Sequence, residues 1–489
     1  MDRAASMKLG GASDESGTVP LCVDLDGTLV RTDLLVESWF ALIKHHALLA
    51  LLALYWMMQG KATLKSEIAR RVDLDVRSLP YHGAFLDYLR DQYRNGRTLV
   101  LATASHEKYA HQVAEHLGIF RGVVASNRRS NLSGAKKHRA IVERFGRDGF
   151  DYAGNARADL KIFPHARRAI LVNPEPGVER AARRSSDVDR VFYRESKRLK
   201  SYLRALRPHQ WVKNLLIFVP LFASQQLWDA ALLGQALVAF VAFSFCASSV
   251  YLLNDLLDLP ADRAHARKRH RPFASGAASV KVGTMLVPLL LIVALVLALL
   301  LPPPFIFALT AYYVSTLAYS FWLKGKLMID VMLLAGLYTL RILAGAAAIA
   351  IVPSFWLLAF SMFLFLSLAM VKREAELIDV KSSGKHTAAG RAYEVSDLTT
   401  VQSLGAAAGY CAVLVLALYI NSDDVLVSYS QPQALWLLCP LLLYWVSRMW
   451  QRTGRGEMHD DPIVFAVKDR ISRWIGAMAA VVVLAAAWL

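Results

Sequence analysis

The sequence predicts a multi-domain chain. An α/β domain with a helical cap is expected over residues 18–195, and an all-α integral membrane bundle of about nine helices over 196–489. Three observations predict this. Residues 1–205 alternate charged and apolar segments, whereas from about residue 212 apolar runs recur that approach the roughly 20 residues needed to cross a bilayer. Basic residues fall on alternate connections between those runs. Acid-rich clusters stand at the ends of apolar stretches, one in each part.

Residues 1–17, "MDRAASMKLGGASDESG", are polar and Gly/Ser-rich with no apolar core, so a disordered lead-in and no secretory signal is expected. The 489 residues are 55% hydrophobic and carry a formal net charge of +17. Cys22, Cys246, Cys411 and Cys439 are scattered and form neither a metal spacing nor a disulfide framework. The basic surplus does not imply nucleic-acid binding, because membrane topology accounts for where the bases lie.

In "LCVDLDGTLV" (21–30) an apolar run ends in two aspartates two residues apart, which leave a strand end on the same side. One such carboxylate can attack phosphorus while the other handles the proton, and both can help hold Mg²⁺. "TLVLATAS" (98–105) is a second strand ending in Thr103. "GAKKHRAI" (134–141) sets Lys137 at a helix start, and "YAGNARADL" (152–160) contributes Asp159. This order of motifs resembles the haloacid dehalogenase superfamily of Mg²⁺-dependent phosphohydrolases over about 18–190. The resemblance implies a doubly wound α/β fold with a helical cap at about 34–90. It implies Asp24 as the nucleophile forming an aspartyl-phosphate and Asp26 as acid/base. Thr103 and Lys137 would bind phosphoryl oxygens, and Asp159 would help hold Mg²⁺ with the two aspartates. One departure stands out. The residue after the last motif's glycine, usually an acid, is Asn155, whose amide can ligate the metal or orient its water with less charge. Both an active phosphatase and a degenerate structural domain fit that departure. Within the cap, "HHALLALLALYWMMQGK" (45–61) is too short to span comfortably; a buried cap helix and an interfacial helix leaning on the membrane are the two readings.

Nine apolar segments are expected to span, at about 212–230, 234–253, 284–302, 304–322, 330–351, 354–371, 403–420, 433–447 and 473–489. Prolines at 301–305 and 352–355 make tight turns. Connections after the even-numbered spans carry the bases, among them Arg263, Arg267, Lys268, Arg269, Arg271, Lys324, Lys326, Lys372, Arg373, Lys381, Lys385, Arg391, Arg448 and Lys468; connections after spans one, three, five and seven carry none. Positive charge stays inside. The expectation is a multi-pass protein of the cytoplasmic (inner) membrane with its N-terminal domain and charged loops in the cytosol.

"NDLLDLPADRAHARKRHRP" (254–272) follows the second span directly. On a helix Asn254, Asp258 and Asp262 share one face with Asp255 beside them, although Pro260 can break the helix before Asp262. Aligned carboxylates repel unless a cation lies between them, and Mg²⁺ favours carboxylates plus substrate phosphates. Arg263, Arg267, Lys268 and Arg271 suit phosphate oxygens. Acids for metal and bases for phosphate describe a diphosphate site at a membrane surface.

"YLLNDLLDLPADR" resembles the first aspartate-rich motif of UbiA-type intramembrane transferases. "LRPHQWVKNLLIFVPL" (206–221), "YSFWLKGKLMIDVMLLAGLYTLRILAGAAA" (319–348) and "MVKREAELID" (370–379) are similar to the decaprenyl-phosphate phosphoribosyltransferase branch. That branch implies Mg²⁺-dependent transfer of 5-phosphoribose from phosphoribosyl diphosphate (PRPP) to a polyprenyl phosphate. Asp255 and Asp258 become the catalytic pair, with Asn254 and Asp262 as further metal ligands. Arg207, Gln210, Lys213 and Asn214 at the first membrane entry, Arg341 inside a span, and Lys324, Lys372, Arg373 and Glu376 join the substrate-binding set. A charge inside a span normally faces a cavity or partner. The second acidic region departs from the general pattern, with Glu374, Glu376 and Asp379 among bases. "EMHDDPIVFAVKDRIS" (457–472) either adds Asp460, Asp461 and Asp469 to the site or forms a lid or surface loop. A polyprenyl diphosphate-dependent aromatic prenyltransferase uses the same fold and first motif and is the alternative; a non-catalytic scaffold or transporter is a third reading.

Overall fold

The structure, a computed structural model, describes residues 19–193, 198–384, 386–387, 391–423, 425, 429–458 and 461–488. The predicted lead-in 1–17, Lys385 and Asp460 lie outside them. The chain divides into two compact units. The first holds the described residues up to Ala205 together with Leu252–Met285; the second holds Leu206–Tyr251 and the chain from Leu286 onward.

The first unit is built on a six-stranded sheet of order β3-β2-β1-β4-β5-β6, in which every pairing is parallel. The strands are β1 (Leu21–Val23), β2 (Leu99–His106), β3 (Gly122–Ser126), β4 (Asp151–Gly154), β5 (Ala169–Val172) and β6 (Val188–Phe192). Sheets covered on both faces need near-continuous apolar strands, and "LCV" and "AILV" are wholly buried. The chain steps outward from β1 through β2 to β3, then returns to β4 on the other side of β1. That reversal makes the carboxyl end of β1 a topological switch point, where open α/β sheets bind ligands; Asp24 follows it.

Between β1 and β2 come α1 (Leu34–His45), α2 (Ala47–Met58), α3 (Lys61–Arg71) and α4 (Gly83–Arg94); α5 (Glu107–Leu117) follows β2, α6 (Ala135–Phe145) precedes β4, and α7 (Val178–Ser185) and α8 (Arg198–Ala205) flank β6. Asp33 caps α1 by accepting from the Val36 amide. The apolar 45–61 stretch is broken by His46 and by Gly60, leaving α2 only 12 residues long. Ala53 and Trp56 of α2 are buried while Leu52, Tyr55, Met57 and Met58 are exposed, so the helix has an inner and an outer face.

Seven helices among the described residues are long and apolar enough to cross a membrane: α10 (Ala230–Leu257), α12 (Val280–Ala298), α13 (Pro303–Phe321), α14 (Ile329–Ala348), α15 (Phe355–Ser382), the segment Val395–Ile420 and the segment Arg470–Ala487. The chain is a multi-pass membrane protein. The other two predicted segments fold differently. Around 212–230 a 3₁₀ helix, Pro208–Phe218, leads into the short α9 (Val219–Ala223), with Pro220 in its first turn. Here the backbone lies so close to α14 that a Cβ on Gly345 would run into the Ile217 carbonyl. Around 433–447 a 3₁₀ turn, Pro432–Leu437, precedes a 17-residue helix, Leu438–Gly454.

The acidic segment is also not one straight helix. α10 stops at Leu257, Asp258 leaves helical geometry, and Pro260 sits in the first turn of α11 (Leu259–Ala264). The Asp258 amide still bonds to the Asn254 carbonyl (2.9 Å) and the Asp262 amide to the Asp258 carbonyl (2.8 Å), so the break is a kink.

Candidate active sites

The first centre lies at the carboxyl end of β1. Lys137, on α6 (Ala135–Phe145), places its Nζ 3.0 Å from Asp24 Oδ1 and 3.0 Å from Asp159 Oδ1. Asp159 also accepts from the Tyr152 hydroxyl (2.8 Å) and from the Asn155 and Ala156 amides (3.1 and 3.0 Å). The Thr28 hydroxyl joins Asp24 Oδ2 (3.3 Å) to Asn155 Oδ1 (3.1 Å). Gly27 has φ +77°, and a Cβ there would strike the Asn155 amide, so glycine lets that side chain approach. Asp26 accepts from the Leu34 amide (2.9 Å) and from the Ser105 hydroxyl. Burial pushes the Asp24 carboxyl up to about 6 against the pull of Lys137. Burial, then the Asp33 charge, push Asp26 up to about 7. Two carboxyls, of Asp24 and Asp159, thus share the one ammonium of Lys137.

Asp159 takes Lys137 and the Tyr152 hydroxyl on one oxygen and the Asn155 and Ala156 amides on the other. Thr103 is wholly buried and accepts from the Ser105 amide (3.0 Å); Ser105, two residues on and on the same strand face, reaches Asp26. Lys65 of α3 also reaches this end of the sheet, bonding the Ala104 carbonyl (2.5 Å) and Asn131 (2.7 Å). Strand alternation points to Ser105; no local pattern points to Lys65.

The second centre is the acidic segment of the same unit. Asp255 and Asp262, both buried, are bridged by Arg271 at 3.2 and 2.7 Å. Asp258 instead bonds Lys44 of α1 at 2.7 Å. The predicted face of Asn254, Asp258 and Asp262 is thus replaced by an Asp255–Asp262 pair, because the kink turns Asp258 aside. Arg263, expected on phosphate, is tied to Glu37 (2.8 and 2.5 Å) and the Ala274 carbonyl (3.1 Å). Arg267 and Lys268 are exposed, and Asn254 is half-buried.

The second unit holds a third centre. Asp461 caps the short helix Pro462–Lys468 and meets Lys213 (2.7 Å), Lys372 (3.5 Å) and the Tyr338 hydroxyl (2.9 Å). Burial would push its carboxyl up, yet Lys213 and then Lys372 hold it well below the usual carboxylate range. Nearby on α14, buried Arg341 bonds Asn214 Oδ1 (3.0 Å), the Leu337 carbonyl (2.5 Å) and the Tyr312 hydroxyl (3.2 Å). It also lies over the rings of Tyr312, Phe243 and Tyr338. Among the described residues every one of these partners is neutral. Lys213, Lys372 and Arg341 set against Asp461 leave a surplus of two positive charges. Of the predicted residues, Arg373 and Glu376 lie in another group. Arg373 pairs with Asp330 at 2.8 Å with neither side chain exposed, bonds Glu376, and Arg391 closes the group from 3.8 Å. The Lys324 carbonyl accepts from Arg391 (3.3 Å). Arg207 lies over the Tyr251 ring, and the Gln210 amide bonds the Arg207 carbonyl. Asp469 is held by Arg448 at 2.7 Å, apart from Asp461's partners. Tyr338 had no signal in the sequence beyond its place one turn from Arg341.

Among the described residues no group of three or more His, Cys, Asp or Glu side chains is set to hold a metal ion. The donors still fit Mg²⁺, which typically takes one or two carboxylates and completes its shell with water and substrate phosphate. Asp24 and Asn155, linked through Thr28, offer hard oxygens in a site of surplus negative charge. Asp255 and Asp262 offer two carboxylates that already share one cation.

Residues 215–474 match the UbiA prenyltransferase family, and residues 21–163 match haloacid dehalogenase-like hydrolases. Uncharacterized protein y4nM of Sinorhizobium fredii is 36% identical over 464 residues, spanning 94% of this chain and 90% of its own. The decaprenyl-phosphate phosphoribosyltransferase of Mycolicibacterium smegmatis is 31% identical over 291 residues, 57% of this chain and 92% of its own. A solved structure of a UbiA homologue from Archaeoglobus fulgidus bound to DMAPP and Mg²⁺ aligns with 58% of this chain and 98% of its own, at 17% identity and a TM-score of 0.45.

Proposed function

Because the chain belongs to the UbiA prenyltransferase family, as a transferase fused to a haloacid dehalogenase-like phosphatase domain, we propose that it transfers 5-phosphoribose from PRPP to a polyprenyl phosphate and then removes the 5-phosphate from the lipid product. The observation that carries this reading is the surplus of buried positive charge around Arg341, Lys213 and Lys372. A guanidinium held only by neutral groups inside a membrane bundle calls for an anion. A surplus of two charges suits a phosphate dianion better than the single carboxylate of an aromatic acceptor. Similarity to a decaprenyl-phosphate phosphoribosyltransferase along most of that enzyme's length supports the donor.

In this mechanism Lys213, Lys372 and Arg341 orient the acceptor phosphate, whose oxygen attacks C1 of the ribose. The C1–O bond to diphosphate breaks, and its electrons leave with the diphosphate. Mg²⁺, held by Asp255 and Asp262 here and by Asp24 and Asn155 in the phosphatase domain, would supply charge neutralisation on the phosphates. Exposed Arg267 and Lys268 meet the outer phosphates of the donor. In the N-terminal domain Asp24 attacks the 5-phosphate, Lys137 steadies the phosphoryl oxygens, and Asp26 gives its proton to the departing sugar oxygen; water then frees phosphate from Asp24. The confinement of bases to alternate connections supports a cytosolic acidic segment in the inner membrane.

The test is donor choice. Purified protein with Mg²⁺ is offered labelled PRPP plus polyprenyl phosphate, or polyprenyl diphosphate plus an aromatic acid. Label should enter the lipid only in the first case and be lost in Asp255→Asn. Prenylation of the aromatic acid would overturn the reading.

A further inference from the structure

We propose that Lys44, which belongs to the phosphatase domain, is a donor-binding residue of the transferase: its ammonium serves the diphosphate taken up at the acidic segment. This rests on the reading above that the acidic segment takes a diphosphate. α1 joins the two centres of its unit. At its start the Leu34 amide bonds Asp26 (2.9 Å), and at its last turn Lys44 Nζ stands 2.7 Å from Asp258 Oδ1. The helix of 12 residues is about 18 Å long.

One further pair fixes α1 on the acidic segment, and another ties its cap to the start of the helix Val280–Ala298. Glu37 takes the Arg263 guanidinium at two points, and Asp33 holds Lys281 at 2.7 Å. The Thr32 hydroxyl bonds Glu37 as well, so the carboxylate is held from both sides. Burial separates the roles of these contacts. The Arg263 and Glu37 side chains are 6% and 3% exposed, a closed docking pair. The Lys44 and Asp258 side chains are 30% and 32% exposed, an open pair that a ligand can reach. An open ion pair contributes little to stability, so docking does not require this one. A lysine is a compact cation on a flexible stem and a common binder of phosphate. With a diphosphate taken up at Asp255 and Asp262, one turn from Asp258, the Lys44 ammonium stands beside its phosphates. The sequence hides this contact because 214 positions separate the partners.

The test uses the full-length protein in detergent and inorganic diphosphate with Mg²⁺ as the probe. Affinity is measured by calorimetry for wild type, Lys44→Arg, Lys44→Met and Lys44→Glu, and transfer from labelled PRPP is followed in the same samples. Loss of one charge-assisted contact predicts about tenfold weaker binding in Lys44→Met. Lys44→Arg should stay within about threefold of wild type and Lys44→Glu should fall below Lys44→Met. Affinities that do not follow the charge at position 44, or wild type that binds no diphosphate, overturn the proposal. Persisting transfer from PRPP in that event sinks this inference alone, and absent transfer in wild type sinks the reading of function with it.

Discussion

The aspartate centre at the end of β1 and the cationic centre of the helical unit both bury charge, with opposite surplus. In the first, Asp24 and Asp159 face Lys137, Asp26 stands two residues from Asp24, and burial pushes the Asp24 and Asp26 carboxyls up. In the second, Lys213 and Lys372 hold the Asp461 carboxyl down, and Arg341 nearby has only neutral partners among the described residues. Unpaired buried charge is costly, so on the reading proposed above each centre takes a ligand of the opposite sign. The first lacks positive charge and fits a metal with its phosphoryl group. The second lacks negative charge and fits a phosphate.

Substitutions in the two centres should act on different quantities. The largest effect is expected from Asp24→Asn, which removes the attacking carboxylate; phosphate release should fall by about 10³-fold or more, with the phosphorylated lipid accumulating on chromatography. Next, Asp330→Ala removes the buried partner of fully buried Arg373, leaving it only half-exposed Glu376, and should cost about 3 kcal/mol, read as a lower unfolding temperature in detergent. That pair is balanced, so its loss should damage stability where losses in the surplus centres damage turnover. Arg341→Met should raise the KM for polyprenyl phosphate by about thirtyfold, since a charged hydrogen bond contributes about 1.5–3 kcal/mol. An unchanged KM would remove the anion from the second centre. The smallest effect, about fivefold, is expected from Asn155→Asp: one more carboxylate should lower the Mg²⁺ concentration that half-saturates phosphate release.

What the sequence shows of these centres follows from how local each is. Asp24 and Asp26 sit on one strand end, and Lys137 and Asp159 open or follow neighbouring elements, so their convergence at the sheet's switch point is legible from motif order. The acidic segment is legible as chemistry but not as geometry. The kink at Asp258 and Pro260 sends one acid to Lys44 and leaves the other two on Arg271. Arg263 looks like any other loop arginine until Glu37, 226 positions away in the chain, closes on it. Asp461 stands in a stretch that composition leaves open between site and lid; three donors from different helices settle its position. The apolar run at 212–230 has the composition of a span, yet Pro220 and the tight approach at Gly345 make it a 3₁₀ segment and a short helix.

The most direct measurement is a mass spectrum of the lipid formed by purified protein from polyprenyl phosphate, PRPP and Mg²⁺. Wild type should add a ribosyl group to the lipid phosphate without the 5-phosphate, and Asp24→Asn should add the same group with the 5-phosphate retained. Lipid recovered at its starting mass, with no diphosphate released, would contradict it.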